Sequence, residues 1–551
     1  MSNYIIDGAS DPISPVGAKL IAFDAQGNPG WLPASGQASA LHIGVPGSLG
    51  FGVGVCPAAS LPAGFTPLPG YADPASPNYG NYQFSDGSVM VWVPKFFYRI
   101  NNAANPTYAR FTPNDIHVVG AETFASRAAA ELGGYALHRA FIDGGVEQPG
   151  FMVDKYLCSK NALGTGWVGS SVRNGLPLSA DSAHNPVADL TASGAVNQLK
   201  AFVDAAKARD GANGAANATS RFFCCSRFVF SALALLSLAH GQACNSTSTA
   251  AWFEATASTN FPKGCNNNAL KDANDAQVKY QSDGYSNCGK TGSGTPFAKT
   301  THNGQDCGVT DLNGLLWEAN IGITCIATTK STTGATQANP CVLTVPGHGL
   351  TTGRIIQVTS VVGMTQLNDK LYTVTVLTPD TISLDGVNST GFTAYGSAGS
   401  IAYGAFYVAK ESIRMCDFTS GVSLPTDHWG AVGVAAMMDE IALPLVAASG
   451  GSAMDQKFGN AANQALSADT SGAGYVLTGI GHPKDINGMS TTGTDLFGKD
   501  QIYQYFRDQM CVIAGGPWNN GSYAGVFARD LSSTRSSSSN LVGLRCACYP
   551  D

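Results

Sequence analysis

The chain has 551 residues, a formal net charge of −7, 44% hydrophobic residues, only 13% charged residues and 65 glycines. There is enough apolar material for several proper cores, which excludes a disordered tail; no Lys/Arg run occurs, which excludes a nucleic-acid groove or an anionic membrane surface as target. Few charges, and glycine well above the roughly 7% of soluble proteins, predict a loop-rich, β-containing protein of a large assembly or of the space outside a cell.

At the N-terminus, MSNYIIDGASDPISP has neither the basic n-region nor the apolar h-region of a secretory signal, so synthesis in a cytoplasm is expected. Residues 1–84 hold 11 of the 27 prolines, with short apolar pieces between them, and read as an extended Pro-rich attachment or oligomerisation region. At Ser88–Ile100, SVMVWVPKFFYRI, a strong β run broken by Pro94 opens the main domain. SGAVNQLKAFVDAAKARDG predicts an amphipathic helix: Ser193 caps it, Val196, Leu199, Val203 and Ala206 share a face, and Gly211 stops it. A second helix, about Ser226–His240, is apolar nearly all round. Its longest apolar run is shorter than the ~20 residues a bilayer needs, so it belongs at the centre of a fold.

Residues 260–310 turn Asn-, Gly- and Ser-rich, as long ordered loops do. In CGVTDLNGLLWEANIG, Asp311, Asn313 and Gly314 make a turn that delivers Leu315, Leu316 and Trp317 to the core. Residues 325–405 then switch to period-two apolar patterns between Gly, Pro and Asn turns. This predicts a small all-β barrel inserted in a host domain whose two ends lie close together.

Chemistry-bearing motifs are sparse. GYSNCGKT, Gly284–Thr291, satisfies the phosphate-loop pattern, but neither a buried strand before it nor a helix after it is visible, so it reads as a coincidence in a Gly-rich loop. Nine histidines are scattered singly. His302 and Cys307 have no further ligand close by, and His240 and His428 lack sequence-local partners, so no metal and no cofactor is expected. Fourteen cysteines are too dilute for a disulfide scaffold and form no CxxC pair; Cys224–Cys225, and Cys546 with Cys548, could pair only as strained bridges. Neither a nucleophile elbow nor an acid/base dyad is identifiable.

Four stretches in order, VMVWVPKFFYRI, GFMVDKYLCSK, GVTDLNGLLWEANIG and GGPWNNGSYAGVFARDLSSTRSSSSNLVGLRCA, resemble the C-type-lectin-like fold of the formylglycine-generating enzyme (sulfatase-modifying factor) superfamily. The resemblance covers roughly residues 85–325 and 405–551 and implies an α+β, C-type-lectin-like fold with long loops. The enzymes of that family work through a cysteine pair in the last motif, whereas Gly515–Arg545 has no cysteine here, which argues against the oxidase chemistry and leaves a display scaffold. The N-terminal stretch is similar to phage tail-fibre sequence. The insert resembles small β-barrel modules of phage tail proteins related to a domain of ubiquitin-activating enzymes, which implies an accessory module without ubiquitin chemistry.

The resemblance therefore implies a phage tail fibre or tail-tip receptor-binding protein, non-enzymatic, homotrimeric and located in the virion. Four regions are expected: 1–84 for attachment, 85–324 and 406–551 as the lectin-like domain, and 325–405 as the inserted barrel. Expected partners are a bacterial surface receptor (pilus, lipopolysaccharide or outer-membrane protein) and other tail or baseplate proteins, with no nucleic acid and no membrane insertion. The contact face is expected between the ends of the Gly515–Arg545 frame. Tyr523 and Phe527 would serve as stacking anchors, with Asn519, Asn520, Ser522, Arg529, Asp530 and Ser532 as polar contacts. Trp518 reads either as a further anchor or as framework core. The rival expectations are an oxidase of the formylglycine-generating type and a cellular variable adhesin of a diversity-generating retroelement.

Overall fold

The run VMVWVP forms a strand, Val89–Pro94, whose alternation serves two cores at once. Val91 and Val93 enter the main core, while Met90 and Trp92 enter a smaller one with Phe65, Phe84 and Phe222. The computed structural model containing it describes residues 19–23, 29–33, 42–100, 116–163, 166–179, 198–244, 261–284, 287–418, 431–443, 455–457, 478–482, 500–537 and 539–550. Val89–Pro94 lies inside a six-stranded antiparallel sheet ordered Phe223–Cys224, Cys546–Cys548, Gly150–Asp154, Val89–Pro94, Asn81–Phe84 and Phe65–Pro67.

From His42 onward, the expected attachment region is built into this domain. Two of its short apolar pieces are the outer strands of the sheet, and Ile43, Phe51 and Val53 lie in the main core. The boundary expected at residue 84 thus falls inside a sheet. Short segments between prolines cannot make a core alone, but they can complete the edge of one.

A second six-stranded sheet is ordered Asp455–Lys457, Gln501–Gln504, Gly525–Leu531, Val512–Gly515, Trp317–Asn320 and Val542–Gly543. The main core contains the helix Arg227–Ala243, of whose 17 residues all but Ala243 are buried. Ser226 caps it, its Oγ accepting from Val229 N at 3.2 Å. The other expected helix runs from Gln198 to Lys207 and tightens into a 3-10 turn, Ala208–Asp210, before Gly211. Leu199, Val203 and Ala206 are buried, whereas Ser193 and Val196 lie outside the described residues. Among the described residues no helix is long and apolar enough to cross a membrane.

One charged network ties the two sheets together. Between Val542–Gly543 in the second sheet and Cys546–Cys548 in the first stands Arg545, fully buried. Its Nε and Nη2 donate to Glu318 at 3.0 and 2.7 Å, Nη2 also reaches Thr310 O at 2.8 Å, and Nη1 donates to Asp154 O at 2.6 Å. Burial alone would lower the pKa of Arg545, but the facing Glu318 carboxylate more than reverses this and holds the guanidinium above its ordinary range. Asp154 in turn accepts from Arg209 Nη1 and Nη2 at 2.6 and 3.0 Å and from Cys546 N at 2.8 Å.

Residues 323–409 leave this frame and return to it. Ile323–Ser331 pairs antiparallel with Ser400–Ala409, from Ile323 opposite Val408 to Ser331 opposite Ser400. The sheet continues through Ile355–Thr359, Lys370–Thr378, Thr381–Leu384 and Val342–Thr344 to Gly334–Ala335. Its first and last strands on this path, Ile323–Ser331 and Gly334–Ala335, are consecutive in the chain. A link that short spans at most ~10 Å, so the sheet has to curl round on itself into a barrel. Its interior is a separate cluster that includes Leu343, Ile356, Val358, Val374, Ile382 and Ile401.

Two outcomes follow from this packing. Glu318→Gln should cost about 3–5 kcal/mol, since it leaves the buried Arg545 without its counter-charge; an unchanged urea midpoint would refute the ionised pair. The second concerns acid. His138 and His302 are fully buried, and burial lowers both from 6.5 to about 3. Unfolded, each takes a proton as pH falls through 6.5, whereas folded each does so only near 3. Stability is therefore complete above 6.5 and falls below it by about 1.4 kcal/mol per pH unit for each histidine. Urea titrations across this range should show His302→Gln losing less stability than the parent as pH falls, by about 1.4 kcal/mol per pH unit; parallel curves would refute the assignment.

Candidate functional site

The stretch that opened as the expected contact face divides differently from its sequence pattern. Gly515 and Gly516 have φ of +90° and +84°, and a Cβ on Gly515 would come within 2.6 Å of Leu312 O. They are framework, as is half-buried Trp518, whose N donates to Leu315 O and whose side chain packs beside Leu315 and Leu316. Asn519 and Tyr523 are exposed, and Asn520 and Ser522 half-buried, in the short loop that follows.

Beyond it the chain enters an inner strand, Gly525–Leu531, flanked by Gln501–Gln504 and Val512–Gly515. Phe527 and Arg529 are therefore interior and cannot belong to a contact face. Arg529 Nη1 donates to Phe527 O at 3.1 Å, and Nη2 lies 3.4 Å from His482 Nδ1. Asp530 and Ser532 are half-buried and joined by a bond from Ser532 N to Asp530 Oδ1. The run AGVFA carried the signal for this strand: consecutive small and apolar residues suit a strand covered on both faces.

The thiols offer little accessible chemistry. Thirteen of the fourteen cysteines are buried, and the partly exposed Cys416 is raised by burial to about 11. Neither state suits a nucleophilic thiolate. Asp154, Cys158 and Cys546 bring their donor atoms within 4.8 Å of one another, as a metal site would. Yet Asp154 Oδ2 already accepts from Arg209, Cys546 N and Cys158 Sγ, so a guanidinium holds the position a cation would need. The phosphate-loop match is likewise structural at its end: Thr291 Oγ1 donates to Val172 O, and Gly292 N donates to Asp311.

Polar groups also converge at the junction between barrel and host. Thr324 Oγ1 donates to Met510 O at 2.9 Å, Ala327 N to Asp508 at 3.1 Å, and Phe406 meets Phe506 with ring centroids 5.7 Å apart. Where the two bodies diverge lies a cleft of about 530 Å³, lined by Gln357, Thr359, Asp369 and Ser400 from the barrel and by Tyr505 and Arg507 from the host.

Gln357 sits on the strand Ile355–Thr359 and is fully buried, yet neither Oε1 nor Nε2 has a hydrogen-bond partner. Such an orphaned amide costs about 1–3 kcal/mol. Thr359 and Ser400 share a hydroxyl bond of 3.0 Å. Asp369, at φ +59°, donates its backbone N–H to Val358 O, and its carboxylate makes no hydrogen bond or ion pair among the described residues. Partial burial raises its pKa. Arg507 donates Nε to Ser532 O, and its guanidinium lies 5.4 Å from the Tyr505 ring centroid. Nothing in the sequence pattern marked this cleft, since Gln357 occupies an ordinary alternating position in a strand.

Residues 339–403, within the barrel, match the family model of the ubiquitin-activating enzyme E1 FCCH domain. No curated protein matches the chain. The match corrects the reading of the chain as a phage tail fibre or receptor-binding tail protein of the formylglycine-generating superfamily, because the domain it resembles belongs to a cellular enzyme. With that reading go the virion location, the bacterial receptor, the tail and baseplate partners, the homotrimer and the expectation that the chain is no enzyme; the oxidase and retroelement-adhesin alternatives gain no support. The matched segment is a small part of the chain: the barrel is similar to one domain of that enzyme, and the host on either side is not covered by the match.

Proposed function

We propose that the barrel is the part of this chain that engages a protein partner, and that the α+β host with its long loops is the frame presenting it. The observation that supports this most directly is the separation of the two cores: the barrel closes around its own cluster and meets the host through the paired strands Ile323–Ser331 and Ser400–Ala409. A body built this way keeps its shape without the host and stands in a fixed pose, as preorganised recognition requires. Exposed Val362 and Leu377 give its surface apolar anchors. Similarity to a domain of ubiquitin-activating enzyme makes ubiquitin the partner to test first. The loop Asn519–Tyr523 is proposed as a second, smaller contact surface on the host.

Immobilised ubiquitin should retain the full chain but not a variant in which residues 332–399 are replaced by a short Gly-Ser turn. The circular dichroism of the variant should keep the host's helical signal. Retention of both proteins alike, or of neither, overturns the proposal.

A further inference from the structure

We propose that Cys158 and Cys546 form a disulfide site, closed while the chain folds in the presence of a small-molecule disulfide such as oxidised glutathione. The site belongs to the host frame and is independent of the docking role of the barrel. The two thiols stand 388 positions apart in sequence, yet their sulfurs are in contact at 3.7 Å. The first sheet brings them together. Cys546 opens the strand Cys546–Cys548, which pairs antiparallel with Gly150–Asp154, and Cys158 follows that second strand, its N donating to Leu544 O at 3.0 Å. A bonded pair of sulfurs lies at about 2.05 Å, so they need to approach by roughly 1.7 Å, within the reach of side-chain torsion. Cys224, the cross-strand neighbour of Cys546, turns its thiol elsewhere and donates to Ala319 O at 3.3 Å. Oxidation also leaves Asp154 satisfied: Oδ2 loses the Cys158 thiol at 3.1 Å but keeps Arg209 Nη2 at 3.0 Å and Cys546 N at 2.8 Å.

Access decides when the bond forms. Both thiols are fully buried in the folded protein, and burial raises Cys158 well above the ordinary thiol range, so the folded pair is shielded from exchange. Cys546–Cys548 is an inner strand, seated between Phe223–Cys224 and Gly150–Asp154. Until it inserts, both sulfurs are open to solvent. In that interval the Cys158 thiolate attacks glutathione disulfide, forming a mixed disulfide and releasing one glutathione thiolate; the Cys546 thiolate then attacks the Cys158 sulfur and releases the second. Two electrons pass from the cysteines to glutathione disulfide, and the two cysteine protons end on the two glutathione thiolates. Insertion of the strand seals the bond. The link fixes the residue next to Arg545, so the joint between the sheets becomes covalent wherever the chain folds under oxidising conditions, and closing so long a loop restricts the unfolded chain.

The test refolds the full chain from its reduced, denatured state, either with glutathione disulfide or with a phosphine reductant, and compares the products by thiol titration in denaturant and by non-reducing peptide mapping. The oxidised product should have two thiols fewer than the fourteen of the reduced chain, a linked Cys158–Cys546 peptide pair, the circular dichroism of the reduced product and a higher urea midpoint. Cys158→Ala should lose no thiol to the oxidant and show no such rise. Protein folded first and then given glutathione disulfide should stay reduced over the same time. Four results would each overturn the proposal: the parent keeps all its thiols; Cys546 is found linked to Cys224 or Cys548; the oxidised product lacks the native circular dichroism, which would place the bond outside the fold; or the folded protein oxidises as fast as the refolding chain.

Discussion

The bond set of Arg545 is the interaction on which the rest of the architecture depends. This single side chain stands where the chain passes from one sheet to the other, and it holds Glu318 of the second sheet and the Asp154 carbonyl of the first. A guanidinium is suited to the position: it is always charged, and its fork reaches two directions in fixed geometry. Ile323, where the barrel's stalk begins, lies five residues beyond Glu318, so the pose of the barrel is set by the same anchor. A buried pair of this kind adds little net stability over an apolar core, but it specifies one arrangement of two sheets that hydrophobic contact alone would leave free to slide.

Much of this was legible in the sequence because it followed from a repeating pattern. The helix Arg227–Ala243 announces itself by apolar residues all round, and the barrel by its alternation between turn residues. The Gly515–Gly516 pair read as framework and is framework. Phe527 sits in an apolar run, AGVFA, that did signal a strand, but the polar stretches before and after it suggested an exposed loop, and nothing local showed that two flanking strands, Gln501–Gln504 and Val512–Gly515, cover the segment and bury Arg529 with it. Burial of an arginine is decided by partners far away in sequence, and no local signal carries it. The same holds for residues 42–84, where sparse apolar pieces depend on a sheet built by later segments.

The junction cleft belongs to the class of features that sequence patterns do not carry at all. Gln357 alternates with buried Ile356 and Val358 in the strand Ile355–Thr359, and on local grounds it should face solvent. The return strand Ser400–Ala409 and the host segment around Phe506 bury it instead. A natural core that tolerates an unpaired amide departs from the rule that buried polar groups are satisfied, and such departures concentrate where a protein meets something else.

The two-stranded stalk also bears on how the host assembles. Trp317–Asn320 must pair with Val512–Gly515, and the whole barrel segment lies between them in the chain. As an open coil, that intervening chain would add to the entropy lost on closing the loop. Once Ile323–Ser331 and Ser400–Ala409 are zipped, the same segment behaves as a compact turn whose ends are already side by side. An insertion that folds early thus shortens the effective distance between the halves of its host, and the speed of the larger domain becomes tied to the order in which its guest collapses.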